Sequence, residues 1–507
     1  MTDTRVLLAV DAGTSSIKTV AFDLSGTELA IATRETTTLR PTPGHVEQDP
    51  SAIWDQTVAT LREVTAALPD GATPLGVGVT GQGDGLWAIT EAGDPVRNAA
   101  LWSDSRSTEI LEEWASDGRL DRIVRQCGSK PYPGMSLPLL AWLAREEPTQ
   151  YERVDTILSC KDWLTFRLTG ERTLDHTEAT IPYLNKATER YDRDIFEVVD
   201  LPDAKSMLPR LVAPTEVVGA VTATAAAETG LDPGLPVVSG VFDVPASGIG
   251  TGAATSDGLS ITLGTSLTHQ VFVDGPQPDT SGIQMSLGIE GLWTYAISSN
   301  AGTPSLEWVA ETLIGGEEVA ALEMLARTAP VGSDGVVYHP YLSTSGERGP
   351  FIDPNARGQF VGLTPNHGTE HLVRAVYEGL SLAIRDCVEH LPADPTTAAL
   401  AGGGTRSELW CQLIADCLGC TIVVPESSEA TAKGAAVLLA MSQGEYPSLS
   451  AAIERMVTID RRYNPRERVA DQYDILFDLF SETKQEMNSI WSRRATAFDR
   501  LGSESGE

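Results

Sequence analysis

Val6-Leu7-Leu8-Ala9-Val10-Asp11-Ala12-Gly13-Thr14-Ser15-Ser16-Ile17-Lys18 drives an apolar run straight into a short hydroxyl-rich turn that carries one carboxylate and one ammonium. Gly13 lets backbone approach a ligand closely, and Thr14, Ser15 and Ser16 offer N–H and hydroxyl donors. Asp11 is placed to hold Mg2+, directly or through water, and Lys18 to neutralise phosphate charge. The chain then continues as Thr19-Val20-Ala21-Phe22-Asp23, so the order is strand, turn, strand. A P-loop or a dinucleotide fingerprint requires a helix after the turn and is excluded. A single turn of this kind also reads as an ordinary hairpin with a surface lysine. The second copy argues against that: Ser260-Ile261-Thr262-Leu263 again runs into Gly264-Thr265-Ser266 and out through Leu267-Thr268-His269-Gln270-Val271-Phe272-Val273. Two such hairpins, half a chain apart, predict two similar domains facing one nucleotide.

The 507 residues are too many for one core and suit two domains plus a small extra element. Apolar residues make up 41%, enough for real cores, and no apolar run reaches membrane-spanning length. Asp3 and Arg5 precede a short strand without a signal-peptide pattern, so the expected location is the cytoplasm. Seventy acidic residues against 37 basic leave a net charge of −33, a field that repels nucleic acid and anionic membranes. An acidic surplus with few lysines is the pattern of a protein from a high-salt cytoplasm, the alternative being an acidic mesophilic enzyme. The six cysteines are scattered, and Cys417-Leu418-Gly419-Cys420 lacks a second pair or a nearby histidine, so buried thiols are expected rather than zinc or disulfides. His367 and His371 read as loop and helix-start residues.

Short strands and helices alternate up to about residue 245, including a strand over Leu75–Thr80 and a helix from Ser51 through Thr65, the mark of an α/β domain. Pro233-Gly234-Leu235-Pro236 precedes a new strand, and the small-residue stretch Gly248 to Gly258 is the expected hinge. From Leu449 the chain reads as helical, with Phe477, Leu479, Phe480 and Trp491 able to pack and Gly502 to Glu507 as a disordered tail. Ala398 to Ala401 reads as a strand, Gly402-Gly403-Gly404 as a turn with Arg406 beside it, and Ser407 as the start of a helix containing Trp410. A helix N-terminus behind three glycines offers bare N–H groups and room for adenosine or its phosphates, although a plain β–α turn has the same look.

With both phosphate turns in place, the chain resembles the FGGY carbohydrate kinases over nearly its whole length. The most specific piece is Gly358-Gln359-Phe360-Val361-Gly362-Leu363, seven residues, then His371-Leu372-Val373-Arg374-Ala375-Val376-Tyr377-Glu378, similar to the family's second signature. Pro43-Gly44-His45-Val46-Glu47-Gln48-Asp49-Pro50 with Trp54, Lys161-Asp162-Trp163-Leu164 with Arg167-Leu168-Thr169-Gly170, and Gly346-Glu347-Arg348 leading to Asp353-Pro354 support it. Leu139 stands where many members carry lysine.

The resemblance implies an α/β fold of two actin/hexokinase/Hsp70-like, ribonuclease H-like domains with a nucleotide and sugar cleft between them. Residues 1–247 would bind sugar and phosphate and carry the base, 248–447 would bind ATP, and 448–507 would form a helical segment and tail. It places the Gly402–Gly404 turn beside the nucleotide, with Gly434-Ala435-Ala436 packing near it. Asp243, in Ser239-Gly240-Val241-Phe242-Asp243-Val244-Pro245, looks like the family's general base at the end of an apolar strand; a lone Asp there would more often be a helix cap. Substrate choice is expected in Thr80-Gly81-Gln82-Gly83-Asp84-Gly85-Leu86-Trp87, with Phe242 adjoining. Glycerol kinases carry Arg-Glu at Gly83-Asp84 and xylulose kinases commonly Met-His. The stretch looks more like erythritol kinases, where a small residue opens space and a carboxylate accepts bonds from two hydroxyls. Trp87, Trp102 and Asp104 are candidate walls. The expected function is ATP- and Mg2+-dependent phosphorylation of a terminal hydroxyl of a small sugar or polyol. A xylulose- or ribulose-type pentulose kinase comes next, then a glycerol kinase; a non-catalytic actin- or Hsp70-like sugar sensor is the reading from another class. A homodimer is one assembly open to it.

Overall fold

The computed structural model describes residues 5–504 apart from 256–257, 279–281 and 317–318. Strand Arg5–Ala12 lies at the centre of the first sheet, with Leu7, Leu8, Ala9 and Val10 fully buried, as a strand covered on both faces must be. Ser16–Asp23 folds back antiparallel against it, and Glu28–Glu35 follows antiparallel again. Helix Pro50–Ala67 then carries the chain to Thr73–Gly81, which returns parallel on the other side of the central strand. That helix starts as its sequence requires: the Asp49 side chain accepts the Ser51 N–H, and Pro50 needs no partner for an amide it lacks.

Named by first residue, the six strands lie in the order Val217, Pro236, Thr73, Arg5, Ser16, Glu28, and the seven of the second sheet in the order Ile283, Leu292, Leu267, Leu259, Thr397, Thr421, Ile459. Without the edge additions each sheet reads third, second, first, fourth, fifth strand, the first three antiparallel and the rest parallel. This is the expected duplicated ribonuclease H-like architecture.

Two helices, Asp243–Gly250 and Ala430–Ser442, fill the space between the sheets and share one apolar core with Leu7, Ala9, Val20 and Phe22 of the first sheet and Phe272 of the second. Their backbones nearly touch: a Cβ on Gly434 would lie 2.0 Å from the Ala246 carbonyl oxygen, and one on Gly250 1.8 Å from that of Ala430. Gly434 therefore packs at this crossing, with Ala435 and Ala436 in the same core. Within the expected hinge at Gly248 to Gly258, Gly248–Gly250 form the buried end of a helix; Ser256 and Asp257 lie outside the described residues.

Beyond Leu449–Met456 the chain is not all helix. Ile459–Tyr463 adds an antiparallel edge strand to the second sheet before helix Glu467–Glu504. Tyr473, Phe477, Phe480 and Trp491 pack into the C-terminal core, whereas Leu479 faces outward. The helix continues through Gly502 to Glu504, where a tail was expected, and residues 505–507 lie outside the described residues. The six cysteines are free and buried. Among the described residues no helix is long and apolar enough to cross a membrane.

Candidate active site

Both hydroxyl-rich turns close antiparallel hairpins at the end of a central strand, with Ser15 and Thr265 exposed at their tips. The pairing sets Asp11 opposite Lys18, so carboxylate and ammonium share one face of the first hairpin. The Gly402 turn leaves the strand next to the second hairpin: its φ is +89°, and a Cβ there would lie 2.6 Å from the Leu263 carbonyl oxygen. The Thr303 N–H donates to the Gly264 carbonyl at 2.9 Å, bracing that hairpin from behind.

The first hairpin is braced by side chains. The Thr14 hydroxyl donates to Gln82 Oε1 at 2.9 Å and accepts the Trp102 indole N–H at 3.0 Å; Gln82 Nε2 donates to Gln48 Oε1 at 2.7 Å, and Gln48 Nε2 donates to the Thr14 carbonyl at 2.8 Å. Gln82 is spent on this network rather than on a substrate, and the Thr14 hydroxyl is occupied, which leaves its backbone and the neighbouring Gly13, Ser15 and Ser16 to meet a phosphate.

Asp243 is the first residue of its helix, beyond the strand Pro236–Val238 rather than at its end. Burial raises its pKa from 3.8 to about 7, and the Asp11 charge adds to the effect. Burial likewise raises Asp11 to about 6, against the pull of Lys18. A proton affinity near neutrality is what a general base needs. Among the described residues no cluster of three protein ligands is gathered. The half-buried carboxylates of Asp11 and Asp243 fit Mg2+, which keeps water and phosphate oxygens and takes only one or two carboxylates.

Asp84, whose charge also acts on Asp243, takes a left-handed backbone conformation, φ +58°, and its Oδ2 accepts the Tyr132 phenol at 2.5 Å. Burial raises it to about 6 against that hydrogen bond. Arg348, from the C-terminal half, lies over the Trp102 ring at 5.8 Å. Its loop is folded around the buried Glu347 carboxylate, which accepts the amides of Asn300, Arg348 and Gly349. Glu178 accepts the Asp84 amide N–H, and Tyr132, Glu178 and Arg348 thus join the site without having been expected there. Tyr132 and Glu178 carry no local pattern, while Arg348 lay within a quoted motif.

Other expectations need correction. The space over Gly83 is not open, because a Cβ there would meet the Phe242 ring at 2.6 Å. Asp104 has both oxygens taken, by the Val46 and Arg106 amides and the Arg106 guanidinium, so it is no wall. Trp87 is core. Lys18 pairs with Glu429 at 2.7 Å. Ser407 caps the helix Glu408–Leu418 by accepting the Trp410 N–H, but its hydroxyl donates to Glu323, whose other oxygen accepts the Leu409 amide. That helix N-terminus already holds a carboxylate and is closed to phosphate. Arg406 folds back onto the Gly403 carbonyl, and Gly404 is packed beneath Trp410.

The profile for the FGGY family of carbohydrate kinases, N-terminal domain, matches residues 6–250, and that for its C-terminal domain residues 259–443. The chain belongs to this family. An erythritol kinase from Brucella abortus is 29% identical to this kinase, with 97% of this chain and 98% of the relative covered. A xylulose kinase from Escherichia coli is 31% identical over 81% of this chain and 84% of its own length. Among solved structures, a ligand-bound xylulose kinase from Lactobacillus acidophilus superposes with a TM-score of 0.90 at 25% identity, covering 96% of this chain and 99% of that one. The kinase is therefore a phosphotransferase with ATP as phosphoryl donor and a small sugar or polyol as acceptor. The second-signature residues have a plain physical role in it: Arg374 bonds Glu378 at 2.9 Å, and Glu378 accepts the Gly332 amide and the Ser333 hydroxyl, locking a helix to a loop.

Proposed function

We propose that this kinase phosphorylates a terminal hydroxyl of an erythritol-like polyol of four to six carbons, with Asp243 as base. The observation that carries the reading is the Asp84–Tyr132 pair. A carboxylate with one oxygen engaged by a phenol keeps acceptor capacity for substrate hydroxyls, and Arg348 supplies the opposing cation. The attacking hydroxyl passes its proton to Asp243 as its oxygen bonds to the γ-phosphorus; the bridging bond to the β-phosphate breaks, and ADP leaves. Backbone donors at Gly13–Ser16 and Gly264–Ser266 align the phosphates. Asp11 would hold Mg2+, which when bound neutralises phosphate charge.

Relatives named xylulose kinase give a pentulose second place. ADP release measured with tetritols, pentitols, pentuloses, gluconate and glycerol tests the reading. A tetritol or pentitol should give the highest kcat/KM, and Asp84→Ala should raise the polyol KM about tenfold or more while sparing the ATP KM. A kcat/KM highest for glycerol would overturn the substrate assignment.

A further inference from the structure

Helix His176–Tyr183 belongs to none of the phosphate turns, yet its first turn reaches both sides of the reaction. The Thr177 hydroxyl accepts the amide N–H of Phe242, the residue before Asp243, at 3.3 Å. The next residue, Glu178, accepts the amide N–H of Asp84 through Oε2 at 3.1 Å. Neighbouring residues on one helical turn therefore hold the backbone of the proposed base and the backbone of the proposed substrate carboxylate.

The helix itself is anchored from below. Asp175 caps it by accepting the Thr177 amide at 2.8 Å and the Thr177 hydroxyl at 2.6 Å. Asp175 in turn pairs at 2.7 Å with Lys161, a fully buried lysine that also pairs with Asp162 at 2.8 Å. A buried cation between two carboxylates is costly to assemble and costly to break, so it fixes a position rather than adding net stability. Glu178 Oε1 is buried without a hydrogen-bond partner. Burial and the Asp84 charge push the Glu178 carboxyl well above its usual range. Asp84 needs such a hold: a non-glycine residue at φ +58° persists only where its surroundings impose it.

We propose that Glu178 is a positioning residue for substrate binding, and Thr177 one for the base, so that this helical turn sets the placement of Asp84 relative to Asp243. The inference rests on the assignment of those two aspartates given above. Its distinguishing signature is a split. Loss of the Glu178 hold frees Asp84 and acts on polyol affinity, whereas loss of the Thr177 hydroxyl frees Phe242 and acts on turnover.

Steady-state kinetics of Glu178→Leu, Glu178→Gln and Thr177→Val, each with polyol and ATP varied separately, test it. Glu178→Leu should raise the polyol KM at least tenfold with the ATP KM within twofold. Glu178→Gln, whose amide oxygen can still accept from Asp84, should recover most of that loss. Thr177→Val should lower kcat at least fivefold with the polyol KM within twofold. Should Glu178→Leu fail to fold, Glu178→Asp, one methylene shorter, replaces it with the same expected rise in polyol KM. An unchanged polyol KM in the folded Leu or Asp variant, or a Gln variant no better than Leu, overturns the inference. If Asp84→Ala and Asp243→Asn are themselves silent, it is the assignment beneath it that fails.

Discussion

Lys18 and Glu429 form an ion pair of 2.7 Å between the first phosphate hairpin and the start of the helix Ala430–Ser442, so the cation beside Asp11 is held by a carboxylate from the other half of the molecule. The same Glu429 charge raises the Asp11 pKa. A phosphate drawing on Lys18 must compete with this partner. Glu429→Gln should therefore tighten binding of a nonhydrolysable ATP analogue by about two- to tenfold, as a partly exposed ion pair warrants. Lys18→Met should weaken it. Calorimetric titration checks both, and equal affinities in the three proteins would show that the pair does not gate the nucleotide.

Burial of Asp243 has a cost in stability whose sign follows from its pKa of about 7 against an ordinary 3.8. Between those values the native state holds a proton that the unfolded chain has released, so stability falls as pH rises through the window. Asn cannot ionise. In metal-free buffer, Asp243→Asn should melt several degrees above the wild type at pH 8, and the gap should close toward pH 4. Melting curves across that range that run parallel would contradict the burial of an ionising carboxylate.

Gly83 and Phe242 meet where any side chain would collide, its Cβ 2.6 Å from the ring. Gly83→Ala must push Phe242, and with it the adjacent Asp243. Displacements of this size at a reacting group cost up to about 10²-fold in rate. The expected result is a kcat lowered at least tenfold with little change in melting temperature, read from parallel assays.

Closure of the two halves around substrates should turn on the crossing of helices Asp243–Gly250 and Ala430–Ser442, because their backbones are already in contact at Gly434 and Ala246. Polyol and an ATP analogue together should lower the radius of gyration in small-angle scattering beyond either alone. An unchanged radius at saturation indicates a cleft that is closed from the start.

The duplicated fold was legible because both hairpins write the same pattern, an apolar strand entering Gly13-Thr14-Ser15 and Gly264-Thr265-Ser266, and because strand order follows from chain order in this architecture. The two-domain kinase reading followed from the resemblance. Individual roles were less legible. Gln82, Asp104 and Ser407 each looked available, but their polar atoms are taken: those of Gln82 and Ser407 by residues distant in sequence, Thr14 and Glu323, and those of Asp104 by the distant Val46 and the nearby Arg106. The same distance hid Tyr132 and Glu178, whose contacts exist only because the fold brings them to Asp84. A helix N-terminus behind glycines reads as a place for adenosine or its phosphates; a glutamate from another helix takes the Ser407 hydroxyl and the Leu409 amide there.

In the proposed reaction Asp243 takes the proton of the attacked hydroxyl. Single-turnover and steady-state kcat of Asp243→Asn, measured beside the affinity of a nonhydrolysable ATP analogue, test it most directly. The expected kcat is about 10²–10⁴-fold lower, with nucleotide affinity within about threefold of the wild type. A variant that keeps more than about a tenth of wild-type turnover would contradict it.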